Sequence, residues 1–423
     1  MLGRVKTQSM RKIYSTLLIF AAFTLNAQSI RELYQEGVQA YDSGQFDLFK
    51  KRMEEIDQKR PNYPAIVYNL ACAYSLTGNS EKALKTLNSY ILMDASQNLS
   101  EDSDLAPLVG LSGFKQILEK QTLLAKDIPV RQVSKWKLQD AHPEAFAYSK
   151  KQKAYYIGGV RDGKIWKIEE EEAPEIFASS TQDSWAVMGL AVSPDGKHLW
   201  ACTSSLPNYL DYDQNLNGYA SVLKYDLRNG ELVNSHVLKG EHNFGDLVVS
   251  NEGDVFISDG TANKVYWINQ RTNQLEEFYD LTKSVFNLQG ITFDEKQKCL
   301  FLSDYIDGIY RLDLSDKKLS KLKVATDDIL IKGIDGLYYK DNSLIGLHNG
   351  TTPNRVVKYS LDTDECAIKS KEILSQADVL GEPTQGVWVK DEFHYITNSP
   401  WGSYDRDNNF SPKADFLIIG AIE

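Results

Sequence analysis

Six times between residues 144 and 385, a short alternating strand is followed by a turn and a longer apolar strand. The segments align as "PEAFAYS", "MGLAVSP", "GDLVVSN", "QGITFDE", "DGLYYKD" and "QGVWVKD". They open on Glu144, Met188, Gly245, Gln289, Asp335 and Gln385. Turn signals such as "SPDGK", "SNEGD" and "KDNS" separate the strands. Sheet units recurring every 40 to 60 residues or so cannot stack as helical repeats, and six of them suit a closed ring of blades, a six-bladed β-propeller over 131–423. The first strand of each unit then lines the central channel, and its opening residue points into the channel mouth. The last unit, "VWVKDEFHYITN" followed by "DFLIIGAI", lacks an outer strand. The segment "RQVSKWKL" ahead of the first unit can supply it, which removes the open edge.

The region before the ring has a different period. "LYQEGVQAYDSGQFDLFKK" and "VYNLACAYSLTGNSEKALK" both have helical spacing, and Gly44 and Gly78 are 34 residues apart. At the same offset Gly37 matches Ala71, and Met53 matches Leu87. A period of 34 with small residues at the helix contact is the tetratricopeptide pattern. The expected fold is therefore mainly β, with a small N-terminal all-α tetratricopeptide-like domain over 28–122 and a linker over 123–130. Two repeats cannot bury both of their faces. A structural or docking role is expected for them, with a protein partner as one possibility.

"MRKIYSTLLIFAAFTLNAQS" places two basic residues before a short apolar run that ends in small and polar residues. This is the layout of a cleaved signal peptide over 1–27, which predicts a periplasmic or secreted protein. The run is too short for a comfortable membrane span. The net charge of −11 becomes −15 without the leader's four basic residues. That balance argues against nucleic acid and anionic lipid as partners. Cys72, Cys202, Cys299 and Cys366 form no CxxC pair and are expected as small buried residues.

Glu144, Gln289, Asp335 and Gln385 are the polar members of the opening set, and Asp246 stands one residue past Gly245. Carboxylate and amide oxygens around one axis are hard ligands that suit calcium or magnesium. A water-filled polar channel without metal is the alternative reading of the same spacing. "LDYDQNLNG" spaces Asp211, Asp213 and Asn215 like the start of a calcium loop, but it lacks the required glycine and closing glutamate, so a solvent loop is expected. His142, His242 and His348 are expected to be surface or hydrogen-bonded. Trp401 and Tyr404 in "NSPWGSYD" are candidates to wall a pocket for a sugar or lactone. No serine-hydrolase elbow, zincin or nucleotide-binding motif is present.

Over roughly residues 138–400 the pattern resembles the gluconolactonase and senescence-marker-protein (regucalcin-like) family. "HPEAF" supplies the glutamate of its first unit, and "IDGLYY" the aspartate-glycine pair of its fifth. Gln289–Gly290 stands where the family has asparagine-glycine, and Gly245–Asp246 where it has asparagine-aspartate. The resemblance implies an exported, divalent-metal-dependent hydrolase of the lactonase type, acting on a small lactone or ester. The cofactor it implies is a divalent cation, calcium first. Glu144, Gln289 and Asp335 are the implied metal ligands, and Asp335 is also the implied catalytic base, or a ligand that orients the water. Asp246, Gln385 and Trp401 are the implied substrate contacts. The rival reading is a non-catalytic propeller that binds protein or glycan, with the helical repeats as a docking arm.

Overall fold

The computed structural model describes residues 26–169, 172–376, 381–414 and 416–423. The expected leader lies outside the described residues, except for its last two positions, which open the first helix. The chain divides into two compact units, one ending at Lys126 and one running from Asp127 to Glu423. No described helix is long and apolar enough to cross a membrane.

The first unit is helical: α1 (Asn26–Asp42), α2 (Phe46–Lys59), α3 (Pro64–Leu76), α4 (Ser80–Met93) and, after two 3-10 turns, α5 (Ser112–Leu124). Gly44 and Gly78 end α1 and α3 at φ +70° and +74°, a left-handed conformation that favours glycine. Both hairpins therefore turn at the same place in the 34-residue offset. Gly37 is needed for close packing, because a Cβ there would stand 2.6 Å from Met53 Cε. Met53, Ala71 and Leu87 are fully buried. Pro64 starts α3, where its missing N–H costs nothing, and Asn79 caps α4 by accepting from Lys82 N at 3.3 Å. Tyr41 donates to both oxygens of Asp104, which ties the 3-10 segment back to α1.

The second unit is the six-bladed propeller. Blade 1 spans Pro143–Ala178, blade 2 Ala186–Leu238, blade 3 Phe244–Asp280, blade 4 Leu288–Lys321 and blade 5 Ile334–Gln376, each with its strands in sequence order. The short strand Lys323–Val324 adds in parallel to the outer edge of blade 5. Blade 6 takes Gly386–Val389, Glu392–Ile396 and Leu417–Ile422 from the end of the chain, and its outer strand, Arg131–Trp136, from the start. Arg131 pairs with Ala421 and Trp136 with Leu417, so the ring is closed by the expected exchange. An apolar cluster fills each junction between neighbouring blades. The second strands are buried on both faces for this reason; Cys299–Asp304 is buried at every position.

Cys72, Cys202 and Cys299 are buried, but Cys366 is exposed. It sits in the turn between the outer strands of blade 5, where no blade packs over it. The Asp211–Asn215 stretch is a solvent loop, in which Asp213 Oδ1 accepts from both the backbone and side chain of Asn215.

Candidate functional site

In blades 1–5 the opening residues reach the axis because the inner strands bulge there, and in blade 6 Gln385 stands just ahead of the inner strand. In blade 1, Pro143 pairs with Gly159 and Ala145 with Gly158, which leaves Glu144 unpaired. The same shift isolates Met188 in blade 2 and Gly245 in blade 3. In blades 4 and 5 it falls across Gln289–Gly290 and Asp335–Gly336. A bulge raises the local twist and turns the extra residue out of the ladder, here toward the axis. The glycines that follow are required by close approach of the inner strands. A Cβ at Gly290 would stand 2.6 Å from Asp335 O, and one at Gly336 2.4 Å from Thr384 O.

All six opening residues line one cavity of about 30 Å³, together with Asn243, Asp246, Gly290 and Gly336. A space of that size holds an ion or a water or two, and no sugar ring. Asp246 and Gln385 also line the larger vestibule at the far end of the channel. They form the floor between the two spaces. Gln385 Nε2 donates to Met188 O at 2.7 Å and Gly245 O at 3.3 Å, and its Oε1 accepts from Phe146 N at 3.3 Å. Asp246 accepts from Leu247 N at 2.8 Å and Ile291 N at 3.4 Å.

The other polar members are held from one side only. Glu144 Oε2 accepts from Ser399 Oγ at 2.6 Å and from Trp401 Nε1 at 2.9 Å. Asp335 Oδ2 accepts from Asn349 Nδ2 at 2.7 Å, and Tyr305 OH donates to Asn349 Oδ1 at 3.0 Å. Gln289 Nε2 donates to Asn287 Oδ1 at 2.5 Å. Among the described residues, none donates to Glu144 Oε1, Asp335 Oδ1 or Gln289 Oε1. Asn243 Oδ1 is buried and has no partner either.

Electrostatically this is an acid-rich enclosure. Burial pushes the Asp335 carboxyl up to about 7, with Glu382 and Asp246 adding to the rise and Asn349 opposing it. Burial also raises Glu144 well above the carboxylate range, helped by Asp335 and opposed by Ser399 and Trp401. Asp246 and Glu382 rise to about 7, both through burial. Among the described residues, no three channel carboxylates bring oxygens within 4.8 Å of one another. An all-carboxylate cage is therefore not formed. Two carboxylates, Glu144 and Asp335, with the amide oxygens of Gln289 and Asn243, are the set that fits a hard cation. These four residues line one small cavity, and a divalent ion would neutralise the acids that burial leaves unfavourable.

Asn243, Glu382, Tyr305, Asn349 and Ser399 were not singled out in the sequence. A signal for three of them exists, since Tyr305, Asn349 and Ser399 lie just past the ends of second strands. In an antiparallel hairpin those ends sit beside the start of the first strand, at the same mouth. Trp401 and Tyr404 belong to a loop that crosses the mouth. Asn408 in that loop donates to Pro207 O of the blade 2 loop, and its Oδ1 accepts from Asn208 Nδ2 at 3.0 Å. His142 is fully buried between Trp401 and Tyr404, with Nδ1 2.7 Å from Tyr404 OH, and burial lowers its pKa to about 3. His242 bonds Asp259 at 2.7 Å and His348 bonds Tyr359 at 2.6 Å, so all three candidate histidines are hydrogen-bonded.

No family model matches the sequence, and no curated protein matches it. Solved structures do resemble it. The major allergen Mala s 1 of Malassezia sympodialis is 12% identical with a TM-score of 0.54, over 70% of this chain and 96% of that one. A gluconolactonase from Xanthomonas campestris is 13% identical with a TM-score of 0.47, over 70% and 96%. A PQQ-bound aldose sugar dehydrogenase from Streptomyces coelicolor is 12% identical with a TM-score of 0.45, over 70% and 98%. At these identities the likeness is one of fold.

Proposed function

We propose that the propeller is a divalent-cation-dependent hydrolase of the lactonase type, acting on a small lactone or ester at the channel mouth. One observation carries this reading. Two carboxylates and two amide oxygens, each with an oxygen that receives no hydrogen bond, surround a cavity with room for an ion. Glu144, Gln289, Asp335 and Asn243 would hold the cation, calcium being the ion that best suits a mixed oxygen set. The cation's contribution is to polarise the substrate carbonyl.

The chain's own groups do the rest. Asp335 would take the proton from the attacking water. Asn349 fixes its Oδ2, and Tyr305 fixes Asn349. Ser399 and Trp401 donate to Oε2 of Glu144 and oppose the rise that burial causes, favouring the ionised form a cation would need. The small cavity keeps the substrate ring outside, against the loop that carries Trp401. Gln385 and Asp246 close the floor, so water enters from the mouth. Glu382, whose charge raises both Glu144 and Asp335, adds to the acidic field around them. Export belongs to the same reading, and a mature mass lacking residues 1–27 checks it.

The test is a panel of lactones and esters, assayed with and without chelator. Turnover should disappear with chelator and fall about 10²- to 10⁴-fold in Asp335→Asn, the usual contribution of a positioned base. Absence of turnover in a wild-type protein that binds calcium would overturn the enzyme reading and leave a cation-holding binding module.

A further inference from the structure

Five of the six opening residues place a side chain on the axis, and the sixth, Gly245, places none. The space does not stay open. Gln289 Oε1 reaches across from blade 4 to within 3.6 Å of where a Cβ at 245 would stand. Beyond its Cβ, a larger side chain at 245 would meet that amide. Two residues earlier in the chain, in the loop that enters blade 3, Asn243 lines the same cavity. Its backbone is fixed on both sides: its N–H donates to Asp259 Oδ1 at 3.1 Å, and its carbonyl accepts from Gly260 N at 2.9 Å. Its side-chain oxygen is buried with no donor. A buried acceptor without a donor is unusual and calls for an explanation.

The oxygens around this cavity that lack a donor are all acceptors: Glu144 Oε1, Asp335 Oδ1, Gln289 Oε1 and Asn243 Oδ1. A water brings two hydrogens to such a set, whereas one hard cation faces every member at once. We propose that Asn243 is a cation-holding residue that, with Gln289, replaces the side chain absent at 245, and that position 245 must stay small to admit the Gln289 amide. The inference rests on the cation reading above. It adds a neutral amide oxygen from a loop outside the ring of bulges, and a reciprocal size constraint between blades 3 and 4. Neutral oxygen ligands added to two carboxylates favour calcium, which accepts six to eight oxygens, over magnesium with its rigid octahedron and retained waters.

The experiment is calorimetric titration of the metal-free full-length chain with calcium chloride, and separately with magnesium chloride. Wild type, Asn243→Ala, Asn243→Asp, Gly245→Asn, Gln289→Asn and the Gly245→Asn/Gln289→Asn pair are compared. Asn243→Ala should weaken calcium at least tenfold, while Asn243→Asp, which keeps the oxygen, should bind within a few-fold of wild type. Gly245→Asn should also weaken it at least tenfold, and the paired change should recover most of that loss. Near-ultraviolet circular dichroism checks folding, and should Asn243→Ala misfold, Asn243→Ser takes its place. Wild-type calcium binding matched within twofold by Asn243→Ala overturns the role of Asn243 and leaves the cation reading standing. A wild type that binds neither ion overturns both.

Discussion

Blades 2, 3 and 6 meet the axis at the same position as blades 1, 4 and 5, yet the two sets use it differently. In the first set the opening residues are braced. Gln385 of blade 6 donates to the carbonyls of Met188 and Gly245, and all its amide atoms are engaged. In the second set Glu144, Gln289 and Asp335 each spend one polar atom on a neighbour and keep one oxygen without a donor. Half of the ring is built for rigidity, and half is held ready for a ligand. A functional group must be positioned by one contact and left free at another, whereas a brace must be saturated.

Both halves depend on ring closure, so the largest effect is expected from its loss. Deleting residues 131–136 removes the strand paired with Leu417–Ala421 and opens an apolar edge. Soluble expression with a cooperative thermal transition should disappear. Next in size, Gln385→Ala breaks three buried hydrogen bonds of the braced half. Stability in urea should fall by about 2–4 kcal/mol, given about 1 kcal/mol or more for each bond lost. The calcium-induced rise in melting temperature should persist in this variant. The free half should behave in the opposite way. Glu144→Gln keeps an acceptor for Ser399 and Trp401 but removes a carboxylate that is unfavourable when buried. The metal-free protein should melt about 2 °C higher at pH 8, for a gain of about 1 kcal/mol in a domain of this size, and calcium should no longer raise its melting temperature. A Gln385→Ala variant that loses the calcium response, or a Glu144→Gln variant that retains it, would break the division.

A pH series sharpens the same contrast. Asp335, Asp246 and Glu382 have native pKa values near 7, above their ordinary values. Between about pH 4 and 7 the native state therefore holds more protons than the unfolded one. Their contribution to metal-free stability is full below pH 4 and is lost as pH rises through 7. A cation competes for the same oxygens, so its stabilising effect should grow from pH 5 to pH 8, as read by thermal melts with calcium and with chelator. The smallest effect is expected from Trp401→Phe. It removes the Nε1 donor to Glu144 and should cost about 1 kcal/mol, with a weaker cation response that the ring's fold does not share.

The periods and spacings of the chain carried the architecture. Alternation of period two, six recurrences and an unpaired first strand point to one closed ring, because a sheet edge left open is unfavourable and a blade buries its apolar strands only against neighbours. The opening residues were readable too, since each heads an inner strand. What was not readable is which of their atoms remain free. Gln289 and Gln385 are the same residue type, both followed by glycine and at the same place in their blades. One keeps its amide oxygen for a ligand and the other is saturated as a brace. The difference lies in the carbonyls of Met188 and Gly245, which come from blades more than 100 residues away in sequence. Likewise, Ser399 of the last blade reaches Glu144 of the first, 255 residues away, only because the ring closes. Local periodicity is set by neighbours along the chain and survives in the sequence, but the satisfaction of a hydrogen bond is decided by groups that only the tertiary structure brings within 3 Å.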